Sequence, residues 1–120
     1  VILGSYVTAA AIARYLHELS PPRLVTLVPM GYAGREITVD DEACADYIEH
    51  LLTGRPYDHV AALQQLVDDR CVLKFLRGDQ RHSPPADPIF CLQRDLFDFI
   101  PVATLEEGQL VARRVDLPQE

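Results

Sequence analysis

Val1-Ile2-Leu3-Gly4-Ser5, a stretch from Thr8 to Leu19, and then Leu24-Val25-Thr26-Leu27-Val28 together give the first reading of the chain. Val1–Leu3 is apolar and runs into a Gly-Ser turn, the pattern of a buried parallel strand already under way. Ile12, Tyr15, Leu16 and Leu19 recur at helical spacing, with Thr8 placed to cap that helix and Ser20-Pro21-Pro22 placed to stop it. Leu24–Val28 is nearly continuous in apolar residues again. Strand, helix and strand in this order predict a right-handed crossover between two parallel strands.

The reading extends outward from that unit. Pro29 to Asp40 contains Gly31 and Gly34 without periodicity, so it is expected to be a loop leaving the carboxyl end of the second strand, where open α/β sheets bind ligands. A helix should begin at Asp40-Asp41 and run to about Leu52, with Cys44, Tyr47, Ile48 and Leu51 on one face and Gly54 as its stop. Asp58 is placed to cap a further helix carrying Val60, Leu63, Leu66 and Val67, which Val72–Leu76 either continues or follows as a short separate one. Gly78 to Asp87 is polar and holds Ser83-Pro84-Pro85, an exposed connection. Ile89–Leu92, Phe97–Val102 and Gln109–Val115 are the remaining strand candidates, and Glu107-Gly108 turns the last two into an antiparallel hairpin. The expected fold is α/β, a single domain over residues 1–120 with a mixed, partly parallel sheet and a C-terminal β-hairpin.

Composition narrows the function. A chain of 120 residues supplies one core, and its 48% hydrophobic and 24% charged residues exclude a disordered or fibrous chain. Eighteen acidic against eleven basic residues leave a net charge of −7, with the arginines scattered, so no basic footprint for nucleic acid is expected. No apolar run approaches the roughly 20 residues that cross a bilayer, and the opening residues do not read as a signal peptide, so a soluble, cytoplasmic protein without membrane contact is expected. The opening on Val1 rather than Met suggests the tail of a longer protein. Cys44, Cys71 and Cys91 form no C-x-x-C pair and read as buried, reduced thiols.

Five residues carry the candidate chemistry. Gly4 and Ser5, and Gly31 in the next loop, lie just past the expected strand ends, where backbone N–H groups can approach an anion closely; they are the expected substrate-binding positions. Tight turns alone also require glycine. Asp40-Asp41-Glu42 is the densest acidic group, and Mg²⁺ is commonly held by one or two carboxylates together with phosphate oxygens, which makes Asp40 and Asp41 the metal candidates. The same residues would also complement a helix N-terminus. Arg35 and Arg94 are each able to clamp a phosphate or sulfonate. His17, His50, His59 and His82 lack metal-ligand spacing and read as surface residues near helix ends. The hydrolase elbow, the P-loop and the dinucleotide fingerprint are all missing from the sequence.

Five segments occur in an order that resembles the C-terminal half of the 2-phosphosulfolactate phosphatases. They are Gly4-Ser5-Tyr6-Val7-Thr8-Ala9-Ala10-Ala11, Val28-Pro29-Met30-Gly31, Asp40-Asp41-Glu42-Ala43-Cys44-Ala45, Asp87-Pro88-Ile89-Phe90-Cys91 and Phe99-Ile100-Pro101-Val102. The resemblance implies a three-layer α/β/α fold and a Mg²⁺-dependent phosphatase that hydrolyses 2-phosphosulfolactate to sulfolactate and phosphate. Such enzymes are about twice this length, so the resemblance also implies that the N-terminal half of the same enzyme completes the catalytic site. On matching positions, Gly4, Ser5 and Gly31 stand at the family's glycine turns, and Asp41 stands at the Asp of its Glu-Asp pair. Thr8 replaces a usual Asn, Asp40 the Glu, and Asp46 a usual Gly. These departures support the alternative of a non-catalytic ligand-binding or interaction domain derived from the same fold. A homo-oligomer is compatible with either reading.

Overall fold

The computed structural model describes residues 1–118, apart from the side chain of Cys71, whose expected burial therefore lies outside the described residues. A 3-10 turn at Tyr6–Thr8 leads into α1 (Ala9–His17); α2 (Val39–Thr53), α3 (His59–Val67), α4 (Arg70–Leu76) and α5 (Ala86–Cys91) follow, then β1 (Phe99–Glu106) and β2 (Gln109–Asp116). Several boundaries follow from local chemistry. Gly54 ends α2 at φ 77°, and its N–H returns to the His50 carbonyl at 2.9 Å. Asp58 caps α3 by accepting from the Ala61 N–H at 3.1 Å. Thr8 precedes α1 without capping it, because its hydroxyl meets that of Ser5 at 2.8 Å.

Glu107 and Gly108 both have positive φ, 49° and 80°, the turn whose twist matches two paired strands. The expected C-terminal hairpin is present, in register from Phe99 opposite Asp116 to Glu106 opposite Gln109.

The rest of the expected sheet is not. Among the described residues the sheet has two strands and is wholly antiparallel, so the three-layer α/β/α arrangement with a mixed, partly parallel sheet is overturned. Val1–Leu3 does reach β1, but in the opposite sense: Ile2 bridges Val102 antiparallel, and the Leu3 N–H donates to the Pro101 carbonyl at 2.9 Å. Leu24–Val28 joins no strand. An apolar run of that kind becomes a parallel strand only when an edge pairs with it and both faces are covered. Here Leu24 is 95% exposed and Val28 66%, and only Leu27 of the five packs partly against the helices. Ile89–Leu92, also expected as a strand, lies mainly in α5. Pro88 explains the choice, since its missing N–H weakens a strand but falls in the first turn of a helix, where that group has no partner anyway.

Two cores meet on α1. Tyr6 and Ala9 join Ala43, Tyr47, Ile48, Ala62, Leu66 and Val72 on the helical side. Ala11 and Ile12 face the other way, onto Ile100 and Leu117 beside the hairpin. Most of the loop between α1 and α2 stays outside both. The radius of gyration is 15.4 Å, against about 13.6 Å for a fully compact chain of this length.

Candidate functional site

The five expected residues fall into two places rather than one. Gly31 and Asp41 meet: the Gly31 N–H donates to Asp41 Oδ2 at 2.6 Å, tying the loop to the first turn of α2. Gly31 holds φ 69°, and a Cβ there would overlap the Glu36 carbonyl oxygen, so glycine is required by the fold of the loop itself. Gly4 lies against Ile48, where an added Cβ would stand 3.2 Å from its Cδ1, and Ser5 spends its hydroxyl on Thr8. Ile48 is seven residues beyond Asp41 on α2, about 10 Å along the helix axis. Gly4 and Ser5 therefore lie apart from Gly31 and Asp41, and the two parallel strands past whose ends the three turn residues were expected do not form.

The acidic pair does not by itself fit a Mg²⁺ site. One Asp41 oxygen already accepts the Gly31 N–H, and Asp40 is exposed on the neighbouring position, turned about 100° round the helix. Among the described residues no group of three or more His, Cys, Asp or Glu side chains is placed to share a metal ion.

The densest polar chemistry lies elsewhere, where the 3-10 turn, α2, the start of α3 and the segment after α5 meet. Tyr6 Oη lies 2.8 Å from Tyr57 Oη, which lies 2.8 Å from His59 Nδ1. Beside this chain, Tyr47 Oη donates to Asp95 Oδ2 at 2.5 Å, and Asp95 Oδ1 accepts from the Ala10 N–H at 3.0 Å. The Arg94 guanidinium stands over the Tyr47 ring, 5.2 Å from its centroid. Asp95 reaches its two donors from a left-handed backbone, φ 57°. Its carbonyl-seeking neighbours complete the junction: the Asp95 N–H donates to the Tyr6 carbonyl at 3.0 Å and the Leu96 N–H to the Val7 carbonyl at 2.9 Å.

The electrostatics give this chain of hydroxyls a direction. Burial first, and then donation to Tyr57, push the Tyr6 hydroxyl far above the usual tyrosine range. Burial also raises Tyr57, while the bond from Tyr6 and the Arg94 charge pull it down. Tyr47 is pushed up to about 12 by burial and by its bond to Asp95. Burial lowers His59, and the Arg94 charge lowers it further against the weaker pull of Asp95. Tyr6 is buried and, among the described residues, its hydroxyl meets only that of Tyr57, so it donates there; Tyr57 then gives its own proton to His59 Nδ1, and a neutral imidazole in that bond carries its proton on Nε2.

Sequence reading singles out Arg94 but gives His59 as a surface residue and Tyr47 as plain core. A tyrosine on the apolar face of a helix needs a partner for its hydroxyl, which was the available signal for Tyr47. Nothing in the sequence pointed to Tyr6 or Tyr57. The thiols also differ from expectation. Cys91 is exposed because its segment is helical, and Cys44 is half-buried, its thiol raised to about 11 by burial and then by Asp41 and Asp40. An open groove of about 740 Å³ runs between α2 and α3, reaches Tyr57, and is walled by Glu42, Asp46, Glu49, Asp58 and Asp68 against a single cation among the described residues, Arg55. That sign of charge repels anions. Among the described residues, no helix is long and apolar enough to cross a membrane.

No protein-family model, curated protein or solved structure matches this chain.

Proposed function

We propose that the chain is the C-terminal part of a cytoplasmic phosphomonoester hydrolase resembling 2-phosphosulfolactate phosphatase, acting on a small anionic phosphoester. The observation that carries this reading is that four of the five segments of the resemblance, spread over nearly the whole sequence, pack on one another. Tyr6 and Ala9 share a core with Ala43, Ala11 shares one with Ile100, and Gly31 bonds to Asp41. The exposed apolar side chains Leu24, Val28, Met30 and Ile37 are what a further part of the same enzyme would cover. Mg²⁺ belongs to this reading only as a property of the whole enzyme.

One observation favours a second reading, a non-catalytic ligand-binding domain: the Gly31 N–H and the Asp41 carboxylate satisfy each other instead of facing a ligand. Phosphate release from 2-phosphosulfolactate by the full-length protein, with and without Mg²⁺, separates the two. Release that chelation abolishes is the expected result. No release from any small phosphomonoester overturns the enzyme reading. Normal turnover in Asp41→Asn, with a stability loss of about 1 kcal/mol, confines Asp41 to holding the loop.

A further inference from the structure

Arg94 is an exposed guanidinium whose one recorded contact, among the described residues, is the face of Tyr47. Stacking on a ring face leaves the N–H edge of a guanidinium free. The carboxylate next to it in sequence does not claim it, because Asp95 already accepts from Tyr47 Oη and from the Ala10 N–H. His59 stands against the same Tyr47 ring, centroids 6.2 Å apart, and Tyr57 holds its Nδ1 at 2.8 Å. With Nδ1 taken, the second ring nitrogen of His59 is a donor that meets no group among the described residues.

We propose that Arg94 and His59 Nε2–H form a binding site for a phosphate group, with Tyr57 and Tyr6 as positioning residues that aim the imidazole. A tetrahedral oxyanion presents several acceptors and a full negative charge, which suits one guanidinium fork and one neutral N–H donor. His50 stacks on Tyr47 but gives Nδ1 to the Arg55 carbonyl at 2.6 Å. Asp46 and Cys44 bear on Tyr57 less than Arg94 does, and at His59 the Arg94 charge outweighs Asp95. Arg94 supplies the positive charge at this site, even though the chain as a whole carries −7. The inference stands apart from the phosphatase reading, because it concerns binding and holds whether or not a bound phosphoester turns over.

The test is a titration of the full-length protein, labelled in its histidine rings, with inorganic phosphate at constant ionic strength, followed by NMR. Saturable binding that moves the His59 ring signals and raises its titration midpoint is expected. Arg94→Gln should weaken phosphate at least tenfold with an unchanged melting profile, as the residue is exposed, whereas Arg81→Gln, an exposed arginine in the turn before α5, should leave affinity alone. Tyr57→Phe should shift the His59 proton between its two nitrogens, visible in the ring nitrogen signals, and weaken phosphate about threefold. A structural role for Tyr57 alone would not move that tautomer. Unaltered affinity in Arg94→Gln, His59 signals that stay still at high phosphate, or acetate binding as tightly as phosphate would each overturn the site. Unaltered phosphate affinity in Arg94→Gln together with turnover of a phosphoester would remove this site and leave the phosphatase reading standing.

Discussion

Two apolar stretches of similar composition end in opposite states. In α3 and α4, Leu66 and Val72 are buried among Tyr6, Ala43 and Tyr47, whereas Leu24, Val28, Met30 and Ile37, between α1 and α2, face solvent. The difference lies in what each has next to it. A helix satisfies its own backbone, so α3 needs only one covered face, and α2 provides it. A strand at Leu24–Val28 would need a neighbour for its N–H and C=O groups as well as cover on its faces, and Val1–Leu3 has turned the other way to pair with β1. Apolarity alone therefore does not make an element.

The comparison breaks most sharply under truncation. Leu66→Ala, at a position with no solvent exposure, should cost about 2–5 kcal/mol in denaturant unfolding, the range for emptying a packed core site. Leu24→Ala should stay within about 0.5 kcal/mol. Equal losses at the two positions would mean that the 24–37 stretch is covered in solution. A smaller effect sharpens the same contrast within the loop. Gly31→Ala meets both a positive φ and the Glu36 carbonyl, and should cost about 3 kcal/mol, the upper end for a strained backbone position. Gly34→Ala has the same sign of φ but open space around it, so about 1 kcal/mol is expected. Thermal melts of the two variants compare them directly.

Elements that depend on neighbours in sequence were legible. Gly54, Asp58 and the Glu107-Gly108 turn each act through backbone groups a few residues away, and each does what its residue type implies. Elements that depend on distant pairing were not. Whether Val1–Leu3 runs parallel or antiparallel is decided by β1, about a hundred residues on, and Pro88 outweighed the β-forming look of Ile89–Leu92. The candidate site shows the same division. Gly31 and Asp41 are ten residues apart and were found together, while Tyr6, Tyr57 and Arg94 come from three remote segments that only the tertiary packing joins.

The smallest expected effect compares two thiols, one inside the packed helices and one outside. Cys44 sits on α2 with its thiol raised from 9.0 to about 11, and Cys91 is exposed on α5. At pH 8 a shift of that size lowers the thiolate fraction about a hundredfold, since each unit above the ambient pH is a factor of ten. The more basic thiolate is also the better nucleophile, by a little under half a logarithm per unit, so roughly tenfold of slowing should remain. In a Cys71→Ser background, alkylation at pH 8 should therefore be biphasic, with Cys91 fast and Cys44 slow. The sign of the pH dependence follows from the same shift. Raising the pH from 8 to 10 should keep accelerating Cys44, because its thiolate population grows until about 11, whereas a thiol at the ordinary value levels off near 9. A single fast phase at pH 8, or a Cys44 rate that levels off near pH 9, would show that burial against the helical core and the first-turn carboxylates Asp41 and Asp40 do not hold that proton.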